Sequence, residues 1–179
     1  GKIPIIKVSD MNREGNHRYI RNTANVVDAD KLDELGHTAY PAETTILPKV
    51  GAALLTNKRR MLLSEASFDN NIMGWVPNTV HPEYLYYVST CIDLETVAQK
   101  GAVPSINKTI AESLRLPLSP KSEQKKIVSV LDSVEAKLEL LQNRKRQLEC
   151  LKTGLMQDLL SGEVRTPETL QVRDELAEA

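Results

Sequence analysis

Apolar residues recur along the C-terminal third of the chain with a spacing that dominates everything else in it. Starting at Ile127 and stepping alternately by four and three residues, the positions reached are Leu131, Val134, Leu138, Leu141, Lys145, Leu148, Lys152, Leu155 and Leu159. This is heptad spacing, the signature of a helix with one apolar seam. The two lysines stand at equivalent heptad positions, where a cation either fixes register or lays its methylene stem along the seam. A second strip (Val128, Cys150, Leu151, Met156, Leu160) widens the apolar face towards the C-terminal end. The start is marked by Ser119 as N-cap with Pro120 at the first helical position, and by Glu123 in the first turn. The stop falls at Ser161-Gly162. From Glu123 to Leu160 such a helix measures about 57 Å at 1.5 Å per residue. A helix of this length cannot bury all its faces within one small domain, so it predicts a spacer or a pairing rod.

The pattern before Leu118 is different. Ile3 to Val8 is a strand candidate ending at Ser9-Asp10, and Met11 to Arg18 is a polar, Gly-containing loop. Thr44–Val50 and Ala52–Thr56 predict two short strands hinged at Gly51, and Asn70–Val76 a further apolar edge. Pro82 opens a helix over Glu83–Gln99, with Lys100-Gly101 as its C-cap. Val103 to Lys108 reads as a short extended segment, and Thr109 as the cap of a turn. The fold class predicted is α+β: a mixed globular domain over 1–118, a long helix over 119–161 and an acidic tail over 162–179.

Composition bounds this picture more than it changes it. With 179 residues, 41% apolar and 4% aromatic, the chain holds one aliphatic core and an appendage. No apolar run approaches the ~20 residues of a membrane span, and no signal peptide opens the chain, so a cytoplasmic protein is expected. Cys91 and Cys150 are far apart and lack neighbours at ligand spacing, which predicts reduced thiols and no metal site. Net charge is −1. Residues 1–118 carry 13 basic and 13 acidic side chains, 119–161 carry 8 and 6, and 162–179 carry 2 and 5. That balance excludes a globally basic nucleic-acid binder; DNA binding would need a local patch or a larger assembly.

Local cationic clusters do exist. Lys58, Arg59 and Arg60 follow Asn57 after a predicted strand. The loop Asn12–Arg21 holds Arg13, Arg18 and Arg21 with His17 and two asparagines around Gly15. Arg and Asn present bidentate groups suited to guanine and adenine edges, while Lys suits phosphate; a solvated surface turn is the alternative in both cases. Ser105, Asn107 and Lys108 form a third, weaker candidate. Trp75 and the Tyr84, Tyr86, Tyr87 group predict core or helix packing. His17, His37 and His81 are scattered. No catalytic constellation stands out: there is no glycine-rich cofactor loop, and Glu123-Gln124-Lys125 lacks the Asp on a strand that a metal-dependent nuclease requires.

Several segments together resemble the specificity (S) subunit of type I restriction-modification systems. They are IPIIKVSDMN, LPKVGAALLTNKRRMLL, NNIMGWVPN with HPEYLYYVS, KGAVPSINKT, LPLSPKSEQKKIVSVLDSVEAKLELL and LKTGLMQDLLSGEV. The last two are the most specific, and the resemblance runs from Ile3 to about Val164. S subunits of this kind hold two recognition units in tandem, with their helices packed antiparallel; this chain holds one, and so resembles a half-subunit, natural or excised. The resemblance implies a non-catalytic protein that reads double-stranded DNA, one half-site per recognition domain. The seam Ile127, Leu131, Val134, Leu138, Leu141, Leu148, Leu155 and Leu159 would join a second copy or another half-subunit. Implied partners are methylation subunits and a motor-nuclease subunit. S-adenosylmethionine and ATP with Mg would belong to those partners, with no cofactor on this chain. The DNA-facing candidates are Asn57, Lys58, Arg59, Arg60, Arg13, His17, Arg18 and Lys108. The competing reading is a coiled-coil adaptor, or a degenerate half-subunit, acting through protein contacts alone.

Overall fold

A computed structural model describes residues 1–167. Two units are distinct, residues 1–129 and residues from 130 onward. The acidic tail predicted over 162–179 lies mostly outside the described residues.

The first unit is built on two small sheets. In one, β1 (Lys2–Ile6) lies between β3 (Asn25–Asp28), antiparallel to it, and β6 (Ser67–Phe68), parallel to it. The other has the order β2-β5-β4-β7, formed by Tyr19–Ile20, Arg60–Leu62, Thr45–Pro48 and Ile72–Trp75. All four residues of β4 are buried. Because successive side chains on a strand point to opposite faces, β4 supplies two cores. Ile46 packs with Ile6, Met11, Ile20, Leu62 and Ile72, while Leu47 packs with Leu54, Leu94 and Ile106. Between the sheets, Tyr40 stacks on Phe68 at 4.3 Å. Gly74 on β7 admits that ring, since a Cβ there would lie 2.7 Å from the Phe68 Cζ.

Helices fill the remaining surface of this unit: α1 (Ala29–Leu32), α2 (Gly51–Leu55), α3 (Pro82–Thr90), α4 (Leu94–Val97) and α5 (Lys108–Ser113). Four local expectations are corrected here. Ala52–Thr56 is not a strand: Gly51 at φ +69° turns the chain out of β4, and the good helix formers Ala-Ala-Leu-Leu follow as α2, with Leu54 fully buried. The single helix expected over Glu83–Gln99 breaks at Cys91–Asp93, where the Asp93 side chain accepts from Glu95 N and starts α4. Lys100-Gly101 caps nothing, because α4 ends at Val97 and Gln99 then bridges Ser105. Asn107, not Thr109, caps α5, its side chain accepting from Ile110 N at 2.9 Å.

The long helix is observed as α6, Lys121–Ser161, 41 residues. It begins one residue later than expected. The Pro120 carbonyl accepts the first helical bonds, from Glu123 N and Gln124 N at 2.9 Å, so Pro120 sits at the cap and Lys121 at the first helical position. Ser119 contributes its carbonyl instead, to the Gln124 amide at 2.7 Å. The same amide's oxygen accepts from His81 N at 2.8 Å, and Gln124 is 1% exposed. A buried polar side chain with both ends satisfied is a specific anchor. At the far end, Gly162 at φ +80° closes the helix and Val164 N reaches the Asp158 carbonyl at 3.1 Å.

Candidate nucleic-acid interface

The loop expected to be a basic reading element is held from beneath by two buried polar residues. Asp10 is fully buried. Its carboxylate accepts from Lys7 N at 2.9 Å and Ala24 N at 3.1 Å, and pairs with Arg13 Nε at 2.8 Å. Asn16 is 1% exposed. Its Nδ2 donates to the carbonyls of Asp10 and Asn22, both at 2.7 Å, and its Oδ1 accepts from Arg21 N at 2.7 Å and Asn22 N at 3.0 Å. Both donors and both acceptor sites of one amide are therefore used inside the loop. Gly15 takes φ +84°, with Asn22 Nδ2 only 3.3 Å from where a Cβ would stand. The result is a rigid loop that turns Arg13, His17 and Arg21 towards solvent.

Arg18 follows a different course. It is half-buried. Its Nη1 donates to the Tyr87 hydroxyl at 3.0 Å, and its guanidinium lies 5.1, 5.3 and 4.9 Å from the rings of Tyr19, Tyr86 and Tyr87. Cation–π contact of this kind holds a guanidinium in place. The tyrosines are thus packing residues, as expected, but what they pack is an arginine.

The second cationic cluster, on the turn leading into β5, is internally bonded to a large degree. Asn57 adopts φ +53°. Its Nδ2 donates to Asp93 Oδ1 at 2.8 Å and its Oδ1 accepts from Leu94 N at 2.7 Å. Arg59 is 2% exposed and donates to Asn57 Oδ1 at 3.1 Å and to the Ile92 carbonyl. Burial lowers the Arg59 pKa to about 10, with Asp93 and Tyr86 acting in the opposite direction. Asp93 is held below the ordinary carboxylate value, first by the Asn57 hydrogen bond and then by the Glu95 amide, with Arg59 adding to it. Arg60 donates to the Arg59 carbonyl at 2.7 Å and to the Met11 carbonyl at 2.8 Å. Lys58 donates to Asn12 Oδ1.

Those last contacts join the two clusters. Lys58–Asn12 and Arg60–Met11 tie the turn at 57–60 to the root of the loop at 12–23, so segments 46 residues apart in sequence form one surface. Lys108 stands apart from them. It begins α5, is exposed, pairs with Glu112 at 3.7 Å, and borders a groove of about 930 Å³ with Trp75, Asn78 and Leu116. Among the described residues no group of His, Cys, Asp or Glu is arranged to hold a metal. Cys91 and Cys150 are free and exposed. No helix of the described residues is long and apolar enough to cross a membrane.

The seam residues on α6 are distributed unevenly. Ile127 and Leu131 are half-buried, while Val134, Leu138, Leu141, Leu148, Leu155 and Leu159 are exposed. The buried roles of Asp10, Asn16 and Gln124 were invisible in the sequence, where each reads as one more polar residue in a polar stretch.

Comparison with known proteins agrees with this architecture. The chain is 33% identical over 82 residues to the putative type I restriction enzyme MjaX specificity subunit of Methanocaldococcus jannaschii; the match covers 46% of this chain and 19% of that protein. A chain from a structural study of complex assembly and conformational transition in the type I R-M system superposes with a TM-score of 0.68 at 15% identity. That match covers 89% of this chain and 37% of the other. The chain thus spans about a fifth of the curated relative and little over a third of the structural one. Residues 1–150 match the profile of the type I restriction modification DNA specificity domain, and the chain belongs to that family.

Proposed function

We propose that this chain is a non-catalytic DNA-recognition unit that reads one half-site of a bipartite target and uses α6 to join a second unit. The observation that carries the reading is the single surface made by the loop at 12–23 and the turn at 57–60. It is pre-organised by buried polar residues, exposes Arg13 and His17, and carries the half-buried Lys58 where its two segments join. In this reading those three meet DNA. Arg18, Arg59 and Arg60, which are half-buried or buried, and Asn57, whose amide bonds Asp93 and Leu94 N, hold the surface in shape, and Arg59 most of all. Lys108 lies on a different part of the unit, where phosphate is its only natural target.

The exposed apolar stripe of α6 supports the second half of the reading. A homodimer has a two-fold axis, so its two recognition units would read the same bases in inverted orientation. Methyl transfer from S-adenosylmethionine and ATP-driven cleavage would reside on methylation and motor-nuclease subunits recruited by this chain in the cytoplasm. Near-neutral charge fits a unit whose phosphate contacts are largely supplied by partners. Methylome sequencing of cells carrying this chain with its methylation subunits tests the proposal. The expected result is a palindromic bipartite motif with an unspecified spacer; a single undivided motif, or none with methylation intact, overturns it.

A further inference from the structure

We propose that α6 pairs with α6 of a second copy in one antiparallel alignment, whose two-fold axis passes between Arg146 and Gln147. The proposal rests on the reading of α6 as a pairing helix and adds to it the alignment, which sets the spacer of the target.

The stripe is exposed over only part of its length. Val128 is 6% exposed, and Ile127 and Leu131 are half-buried. By contrast Val134, Leu138, Leu141, Leu148, Leu155 and Leu159 are between 42% and 54% exposed. The portion that needs a cover therefore runs from Val134 to Leu159, with Lys145 and Lys152 within it. Those lysines decide the orientation. A parallel pair would set Lys145 against Lys145 and Lys152 against Lys152 in shared layers, which brings like charges together in the seam. An antiparallel pair sets each lysine against a leucine, over which its stem can lie while the ammonium reaches water.

Two antiparallel alignments keep the ends of the stripe matched. One uses the whole stripe from Ile127 to Leu159 and places the axis at Asn143. Along its flanks Glu135 then meets Glu149 of the second copy, and Arg144 meets Arg144. The other uses only the exposed portion and places the axis between Arg146 and Gln147. The layers become Val134–Leu159, Leu138–Leu155, Leu141–Lys152 and Lys145–Leu148. On the flanks Lys137 meets Asp158 of the second copy, Gln142 meets Glu149, and the Arg144 stem lies on Leu151. Each contact occurs twice by symmetry, and no like charges face each other. The first alignment covers residues that are already half-buried and adds repulsion. The second covers what is exposed and adds attraction, so charge and exposure select the same axis.

Cysteine pairing tests this in the full chain, with Cys91 and Cys150 replaced by serine. An oxidised mixture of L141C chains and K152C chains is expected to give a crosslinked dimer that neither variant gives alone. Crosslinking of L141C to K145C chains in its place would put the axis at Asn143 and overturn the alignment while leaving pairing intact. Self-crosslinking of K152C, which the proposed axis places about 16 Å along the pair from its own copy, would overturn the antiparallel orientation. A chain that sediments as a monomer and crosslinks in no mixture would overturn the pairing reading itself. As a second readout, K137E should raise the dimer dissociation constant about five-fold through two lost flank contacts, and K137E/D158K should restore it. Failure of the double variant to recover would reject the Lys137–Asp158 contact and with it the axis.

Discussion

Gln124 and Leu138 stand on the same helix and contradict the usual rule in opposite directions. Gln124 is a polar side chain buried to 1% exposure, and Leu138 is an apolar side chain left 52% exposed. Around Gln124 the structure is complete: the amide bridges His81 N and the Ser119 carbonyl, and nothing further is needed. Around Leu138 it is unfinished. The same contrast separates the two units as a whole. In the first, Asp10 and Asn16 are buried polar groups with their bonds made inside, and the buried Arg59 bonds the Ile92 carbonyl. In the second, leucines at heptad spacing face water. The contrast is what supports the proposal that the first unit holds a surface in one shape and the second pairs with another helix.

The largest effect should come from attacking the unfinished side. Replacing Leu138 and Leu141 by glutamate removes four leucines from a symmetric pair, worth about 6 kcal/mol or roughly four orders of magnitude in dissociation constant. Sedimentation should then report the 20.0 kDa monomer, with the circular dichroism of the first unit unchanged. A dimer that persists would remove the seam from the account.

The complete side should respond in the opposite way. Gln124→Ala leaves His81 N and the Ser119 carbonyl without their partner, at a cost of about 2–4 kcal/mol. The first unit should melt at lower temperature while its self-association persists at temperatures where it is folded. Loss of the dimer with no change in melting would reverse the assignment of the two residues.

A smaller effect is expected at the surface proposed to meet DNA. Lys58→Ala should weaken binding about equally across sequences and flatten the dependence of log affinity on log salt by about 1, the mark of one lost phosphate contact. Altered base preference at constant salt slope would assign Lys58 to base reading instead.

The smallest is a pH effect. The Asp93 carboxyl is held below its ordinary value of 3.8 by Asn57, the Glu95 amide and Arg59. A depressed carboxylate contributes stability that is fully present above the unfolded value and lost as pH falls through the folded one. Asp93→Asn should therefore lower the melting temperature slightly above about pH 4 and flatten the acid limb below it, where the two proteins converge. An identical acid limb in both proteins would show that the Asn57–Asp93 contact is not populated in solution.

How much of this was legible in the sequence follows from the range of the forces involved. Heptad spacing is local and repeated, so α6 could be placed within a residue or two at each end. Its start shifted because Ser119 and Pro120 are both acceptable caps, and the choice was made by Gln124, which draws on the Ser119 carbonyl. The break between α3 and α4 was illegible for a related reason: Asp93 is an ordinary helix residue until Asn57, 36 positions earlier, bonds to it. In the candidate site the basic residues were visible as residues, but their directions were not. Arg59 and Lys58 are neighbours in the chain, and only the fold turns one inward to the Ile92 carbonyl and the other to Asn12. The union of the loop at 12–23 with the turn at 57–60 is a tertiary fact with no local signal.

The central claim is that paired α6 helices hold two base-reading surfaces at a fixed distance. The most direct measurement is the methylation motif of a chain with one extra heptad inserted after Leu141, compared with that of the parent. Seven residues lengthen the pair by about 10 Å, close to three base pairs of B-DNA. The account predicts an unspecified spacer longer by about that amount with both half-sites unchanged; altered half-site bases, or an unaltered spacer, would contradict it.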